Sequence, residues 1–308
     1  MNPKIVFMGS PEFAVPTLQR LGSTYNVVAV FTQRDKAKGR GRVLSPTPVK
    51  IEAARQGIPV THLDSSSSPH AVELLYGLKP DLIVVVAFGH ILPPEVLRLP
   101  RIGCINLHAS LLPRHRGPSP ITSAILAGDA TTGVTTILMD EGIDTGDILL
   151  SRSVEIGDKD TAGTLHDKLA AEGALLMLDT VEGMWAKRIT PTPQDHSQAT
   201  YSKMLSKIDG KIDWQRDAKY LDRFVRAMNP WPFAYCEFEG QALKVLEAVS
   251  VTGSGTPGRI EDIRGDALEI GTGSGRLRLN IVQPPGRPAM TAGAFARGRR
   301  LSLGYTFL

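Results

Sequence analysis

Short apolar runs, each closed by glycine or proline, dominate the first third of the chain. Lys4–Met8 (KIVFM) runs into Gly9-Ser10-Pro11, helical spacing continues to about Leu21, and Val27–Phe31 (VVAVF) is apolar again. Strand, turn, helix and strand in that order predict a parallel βαβ unit. Pro48–Gln56 and Ala71–Leu78 read as helices, with a strand at Pro59–Leu63 between them. Asp81–Phe88 (DLIVVVAF) is apolar without alternation, as for a strand covered on both faces. A short helix at Pro94–Leu99 leads to a further buried strand, Ile102–Leu107, and then to a helix at Pro120–Ala127. Val134–Met139 and Ile148–Val154 read as a strand pair, and Thr161–Arg188 as a long amphipathic helix.

Beyond Ile189 the pattern changes. Ile189–Lys207 is poor in apolar residues and carries Pro191 and Pro193, so it is expected to be a linker. A helix at Asp217–Arg226 stops at Asn229-Pro230-Trp231-Pro232. Short strands follow at Ala234–Phe238, Leu243–Val251, Ala267–Gly271 and Arg276–Val282, with glycine-rich turns between them. A small β-barrel with one helix fits, and the nucleic-acid-binding OB type belongs to that class. The expected fold is therefore α/β: a Rossmann-like, mostly parallel sheet domain (1–189), a linker (190–207) and an OB-like barrel domain (208–308). The first turn, GSPEFA, holds one glycine, so it lacks a dinucleotide fingerprint. Between the second strand and its helix, Thr32–Pro48 is expected to be a long irregular loop at the ligand-facing sheet edge.

The chemistry concentrates in Cys104–Ile121, CINLHASLLPRHRGPSPI. Asn106 and His108, two apart at a strand end, point to one face, and a strand end is rigid enough to aim both at one atom. DEGIDTGDI (Asp140–Ile148) supplies Asp144 from a glycine-punctuated loop after another apolar run. No serine or cysteine signature accompanies them, and Cys104 carries little weight as a nucleophile. The three suit direct acyl transfer. An amide can donate to an oxyanion, a protonated imidazole can do so or protonate a leaving nitrogen, and a carboxylate can hold the imidazolium and accept an amine proton. Taken singly, Asn106 could cap a turn, His108 could be a partly buried helper and Asp144 an Asx-turn residue. Their convergence at one sheet edge favours function.

Composition narrows the setting. The 308 residues are 42% apolar and 21% charged, as in a soluble globular protein, and long enough for two domains. No apolar run is long enough for a membrane span, and Pro11, Glu12 and Pro16 interrupt any signal-peptide core. Cys104 and Cys236 lack metal-ligand neighbours, so no metal is expected and a reducing cytoplasm fits. The net charge is +4, unevenly spread. Arg34, Lys36, Lys38, Arg40 and Arg42 cluster in one loop. No acidic residue follows Glu269, where Arg276, Arg278, Arg287, Arg297, Arg299 and Arg300 fall. Two basic patches raise the odds of a polyanionic partner, although either alone reads as solvated surface.

INLHASLLPRHRGPSPI and MDEGIDTGDIL resemble the signature of the 10-formyltetrahydrofolate-dependent formyltransferases. KIVFMGSPEFAVPTL, KGRGRVLSPTPVK, KIDW (Lys211–Trp214), LDRFVRAMNPWPFAY (Leu221–Tyr235) and GQALKVLEA (Gly240–Ala248) are similar to stretches of the methionyl-tRNA formyltransferase family within it. The resemblance implies transfer of a formyl group from 10-formyltetrahydrofolate to the methionine amine of initiator tRNA, without metal, by a cytoplasmic monomer. It implies catalysis by Asn106, His108 and Asp144. Ser110, Leu111, Leu112 and Pro113, with Leu92 and Asp140, would line the folate site. Lys38, Arg40 and Arg42 would hold the acceptor stem, and the carboxyl-terminal arginines would track the tRNA backbone. Two departures stand out: Pro118-Ser119 where the family often has Ala-Ala, and Arg287-Pro288 where a basic pair is usual. A formyltransferase for sugar-nucleotide or other small amines is the first alternative, and the basic loop speaks against it. A non-catalytic tRNA-binding protein is the second, and the intact Asn106, His108 and Asp144 set speaks against that.

Overall fold

Unbroken apolar strands have no polar face to offer water, so they pair in a sheet covered on both sides. The computed structural model describes residues 2–38, 43–63 and 69–308. By their contacts these form two units. One holds the chain through Pro120, Thr131–Glu155 and His166–Ser202; the other holds Ile121–Ala130, Ile156–Leu165 and Lys203–Leu308.

In chain order the elements up to the long helix are β1 (Lys4–Gly9), α1 (Val15–Thr24), β2 (Asn26–Gln33), β3 (Lys36–Lys38), β4 (Val43–Ser45), α2 (Pro48–Arg55) and β5 (Val60–Leu63). There follow α3 (Pro69–Leu78), β6 (Leu82–Val86), α4 (Pro94–Leu97), β7 (Gly103–His108), α5 (Pro120–Ala127), β8 (Thr131–Leu138), β9 (Asp147–Glu155) and α6 (Ala162–Trp185). The first unit's sheet runs β5-β2-β1-β6-β7-β8-β9. Its first five strands are parallel, and β8 and β9 add on antiparallel. The chain leaves β1 to one side for β2 and to the other for β6, which makes the crevice at their carboxyl ends the ligand-facing edge. One face of the sheet buries Met8, Phe31, Val85 and Cys104 with Phe88, Leu92 and Val96. No helix among the described residues is long and apolar enough to cross a membrane.

The second unit is an antiparallel sheet of β10 (Ala234–Phe238), β11 (Gln241–Val251), β12 (Ile260–Arg264), β13 (Ala267–Gly271), β14 (Arg276–Gln283) and β15 (Met290–Thr291). Its order is β10-β11-β14-β13-β12, with β15 on β14, the small antiparallel β domain expected after the mostly parallel sheet. Two helices pack on it, α7 (Ala218–Ala227) and α8 (Ala292–Arg299), where one was expected. Small residues and glycines hide the apolar stripe of α8. It is nonetheless capped by Thr291, whose Oγ1 accepts from Ala294 N at 3.2 Å, and anchored by buried Phe295.

Two further expectations change. The loop expected at Thr32–Pro48 contains the antiparallel pair β3–β4, with Lys36 opposite Ser45 and Lys38 opposite Val43. Its glycine and basic content conceals a pairing that rests on backbone hydrogen bonds. The stretch expected as a linker is a strap as far as Ser202. Thr192 exchanges backbone hydrogen bonds with Ile148 at 2.8 and 2.9 Å, and Arg116 and Ser202 pair at 2.7 Å.

A polar cluster ties α1 to α2. Glu52 is 6% exposed and accepts from Arg55 on its own helix, from Gln19 on α1 and from Gln56. Arg55's hydrogen bonds, supported by those of Gln19 and Gln56, hold the carboxyl at about 2 against burial, which raises it. A folded value below the unfolded one stabilises above the unfolded pKa and is lost as pH falls through the folded one. Glu52→Gln is expected to cost roughly 1.5–3 kcal/mol at neutral pH. The gap from wild type should close between pH 4.5 and about 2 in urea unfolding titrations. A gap of the same size at both ends of that window would show that the carboxylate charge contributes nothing.

Candidate active site

The alternation of β7 divides its side chains between two purposes. Leu107 packs toward α6 so closely that a Cβ on Gly173 would lie 2.6 Å from its Cδ2. Cys104, Asn106 and His108 take the other face. Cys104 lies deep in the core, and burial pushes its thiol up to about 12, which excludes it as a nucleophile near neutral pH. Asn106, nearer the strand end, is half-buried, and its amide makes no hydrogen bond among the described residues. His108, the last strand residue, is 6% exposed. Its Nε2 donates to the carbonyl of His115 at 3.0 Å. A carbonyl only accepts, so this contact puts a proton on Nε2 and leaves Nδ1 as the chemically available edge. Nδ1 faces Asp144 Oδ1 at 3.5 Å. That exceeds a tight hydrogen bond and lets the pair share a third polar atom.

His115 reaches the ring because the loop after β7 folds back on itself. Ser110 is fully buried: its hydroxyl donates to Arg114 O at 2.6 Å, and its carbonyl accepts from Thr135 Oγ1 on β8 at 2.7 Å. Leu112 N donates to the same Thr135 oxygen at 3.2 Å. His115 itself is left-handed, with φ 56°, and its N donates to Thr200 Oγ1 on the strap at 2.8 Å.

Asp144 is built by a second turn. Asp140 Oδ1 accepts from Gly142 N at 3.1 Å and from Thr145 Oγ1 at 2.7 Å, closing the loop. Asp144 is left-handed, φ 53°, and its Oδ2 accepts from Gly117 N at 2.8 Å. Gly117 must be glycine here. Its φ is 101°, and a Cβ would lie 2.8 Å from Ser202 O. The two carboxylate oxygens are therefore divided between two roles, Oδ2 being fixed by backbone while Oδ1 faces the imidazole.

The structure thus brings Asn106, His108 and Asp144 to one sheet edge. It also reveals groups that no sequence pattern marks. Gln194 on the strap donates from its amide to Asp144 O at 2.9 Å and Gly146 O at 2.7 Å. Arg116, 1% exposed, donates to Gln194 Oε1 from Nη2 at 2.6 Å and from Nε at 3.2 Å. Neither residue lies in a periodic segment, and nothing local signals a buried guanidinium.

The residues expected at the folate site fall less uniformly. Ser110 has its hydroxyl turned into its own loop. Leu112 is buried, Leu111 packs on β8 at Gly133, and Pro113 is half-buried. Leu92 belongs to the core, whereas Asp140 is exposed. Ile91 and Ile143, on the loops after β6 and β8, are 77% and 63% exposed. Of the expected tRNA contacts, Lys38 lies on β3, and Arg40 and Arg42 lie outside the described residues. Ser119, one of the two departures, donates its N to Ser202 Oγ at 3.0 Å. No cluster of metal-ligating side chains occurs among the described residues.

The carboxyl-terminal arginines are mostly neutralised within the second unit. Arg276 and Arg278 both pair with buried Glu269, at 3.4 and 2.8 Å. Arg297 pairs with Asp266 at 2.9 Å and Arg299 with Glu239 at 3.9 Å. Arg287 and Arg300 have no ion pair among the described residues.

The family model described as formyl transferase matches residues 3–181, and that of the formyl transferase C-terminal domain matches residues 204–300. The chain is similar to the methionyl-tRNA formyltransferase of Citrifermentans bemidjiense, 45% identical over 302 residues, covering 98% of this chain and 95% of that one. It is 47% identical over 298 residues to the methionyl-tRNA formyltransferase of Pseudomonas fluorescens, covering 96% and 93%. Among solved structures, the Helicobacter canadensis N-formyltransferase, in complex with folinic acid and dTDP-3-aminofucose, shares the fold. Its TM-score is 0.70 at 19% identity, covering 90% of this chain and 98% of that one. HypX from Aquifex aeolicus, in complex with tetrahydrofolic acid, matches with a TM-score of 0.63 at 18% identity; 96% of this chain is covered, but only 47% of HypX. Both matched family models and the full-length likeness to the curated relatives show that the chain belongs to the formyl transferase family, among its methionyl-tRNA formyltransferases.

Proposed function

We propose that Asn106, His108 and Asp144 transfer the formyl group of 10-formyltetrahydrofolate to the α-amino group of methionine on initiator tRNA, in cytoplasmic translation initiation. The observation that carries this reading is the trio itself: an amide with no hydrogen-bond partner among the described residues, an imidazole fixed through Nε2, and a carboxylate facing its Nδ1. The amine attacks the formyl carbon. The bond from carbon to the amine nitrogen forms first, giving a tetrahedral adduct, and the bond to N10 breaks as the carbonyl re-forms. Asn106 donates to the oxygen that becomes an oxyanion. The edge between His108 Nδ1 and Asp144 Oδ1 takes the proton from the amine and returns one to N10. The exposed side chains of Ile91 and Ile143 offer apolar surface for a flat heterocycle, which supports seating the donor against the loops that carry them. Leu92, Leu112 and Ser110 shape that site from behind, while Asp140 and Pro113 remain available to the donor. In the basic loop, Lys38, Arg40 and Arg42 are proposed acceptor-stem contacts on the strength of KGRGRVLSPTPVK. In the second unit, Arg287 and Arg300 are better candidates for phosphate contact than the paired arginines.

A formyl-transfer assay with 10-formyltetrahydrofolate should modify initiator methionyl-tRNA, spare the elongator species, and be abolished by His108→Ala. Donor turnover on a sugar-nucleotide amine without tRNA product would move the chain to the small-amine formyltransferases. Asn106→Ala and Asp144→Ala should each lower kcat by roughly 10²–10³-fold while leaving the donor KM within about twofold. Normal turnover at saturating donor with lost donor affinity would overturn those roles. Arg42→Ala should raise KM for tRNA and leave transfer to a minimal methionine ester unchanged; an equal loss on both substrates would remove it from the tRNA interface.

A further inference from the structure

A buried charge with no counter-ion among the described residues is linked to Asp144 through Gln194. Among the described residues the Arg116 guanidinium donates to Gln194 Oε1, to His196 Nδ1 at 3.1 Å and to Tyr201 Oη at 3.5 Å. No carboxylate among the described residues forms an ion pair with it. A charge so buried is costly unless its surroundings are arranged around it, and replacing such a group by an apolar one is often neutral or stabilising. Fold stability alone therefore does not account for it.

Its geometric effect is specific. Two of the guanidinium's N–H groups converge on the oxygen of the Gln194 amide. The oxygen end is thereby decided, and the NH₂ end must point the other way. There it donates to two main-chain carbonyls, Asp144 O and Gly146 O. A neighbouring cation polarises the amide and strengthens those donors. Gln194 is the buried residue in an otherwise exposed run from Thr192 to Gln198. The segment it grips includes Asp144, a non-glycine residue held left-handed. A left-handed backbone is uncommon for a residue with a side chain and is kept where the surroundings hold it. Gly146 lets the turn press against the end of β8, where a Cβ would collide with Leu138 O and lie 2.9 Å from Leu138 C. Asp144 is thus fixed by its side chain through Gly117 N and by its main chain through Gln194.

We propose that Gln194 is a positioning residue for formyl transfer, and that buried Arg116 sets its orientation. The pair holds Asp144 in the left-handed backbone that aims Oδ1 at His108 Nδ1. This rests on the reading that Asp144 acts with His108 on the reacting amine. Charged and titratable groups on the amide and the segment it holds include Arg116, His196, Asp140, Asp144 and His108.

The test is Gln194→Glu, with Arg116→Lys and Asp144→Asn alongside. Gln194→Glu keeps the shape and gives Arg116 a counter-ion, but it turns an acceptor toward two carbonyls. Expected is a kcat lower by roughly 10- to 100-fold, as for a catalytic group displaced by about an ångström. KM for donor and tRNA should stay within about twofold, Tm should be equal or higher, and the pH profile of kcat should change shape. Arg116→Lys keeps the charge without the fork and should lower kcat in the same way but less. The double variant should be no worse than Gln194→Glu alone. A kcat within twofold of wild type in Gln194→Glu would overturn the proposal. So would a loss of kcat matched by a fall in Tm with an unchanged pH profile, which a merely structural role predicts. If Gln194→Glu does not fold, Arg116→Lys decides: wild-type kcat overturns, and reduced kcat at unchanged Tm and KM supports. Asp144→Asn separates the two levels. Its full activity would overturn the reading of the site and this proposal with it, whereas its loss beside an active Gln194→Glu would overturn only the role of Gln194.

Discussion

The 3.0 Å contact between His108 Nε2 and the carbonyl of His115 is the constraint from which the site's geometry follows. It fixes the ring plane and fills one of the ring's two polar positions with a group that cannot give up a proton. Only Nδ1 remains for chemistry, so whatever faces Nδ1 becomes the partner, and Asp144 is there. Asn106 lies two residues earlier on the same face of a strand whose far face is wedged against α6. The spacing between amide and imidazole is therefore that of the strand itself. A loop could supply the same side chains but not that fixed separation.

The carbonyl of His115 reaches the ring only through a reversal of the chain after β7, and irregular backbone has polar groups to satisfy. Here they are satisfied from outside. Thr135 on β8 serves the carbonyl of Ser110 and the N–H of Leu112. Thr200 and Ser202 on the strap serve His115, Arg116 and Ser119. These contacts explain the strap's low apolar content, which made it resemble a linker. The strap hydrogen-bonds to a buried loop, and threonine, serine and glutamine supply the donors and acceptors for that. Proline at 191 and 193 suits a segment that runs alongside other chain without joining a sheet interior.

What could be read from the sequence follows the same division. Period-two alternation put Asn106 and His108 on one face, and unbroken apolar runs marked the parallel strands, because both signals come from burial on regular elements. Asp144 was visible as a polar residue in a glycine-bounded loop. Gln194, Arg116 and His115 were not, since their roles depend on contacts across long sequence separation in segments without periodicity. The same holds for the hydroxyl of Ser110, which closes its own turn by donating to Arg114 O. Helix α8 was missed for a different reason: alanine and glycine make its apolar stripe too slight to read.

Charge shows the limit of linear reading most sharply. The absence of acidic residues after Glu269 suggested an uncompensated basic tail. In the sheet, Glu269 itself sits beside Arg276 and Arg278 through antiparallel pairing of β13 with β14, and Asp266 meets Arg297. Antiparallel topology folds the later arginines back onto the earlier acids. Glu269 is 3% exposed, so its pairing is protected from screening in a way that rim pairs are not. Arg276 and Arg278 are thus tied to the fold's own electrostatics, and a polyanion would have to compete with a buried carboxylate for them. Arg287 and Arg300 form no ion pair among the described residues. The field this unit presents to phosphate is set by these residues more than by the count of arginines along the chain.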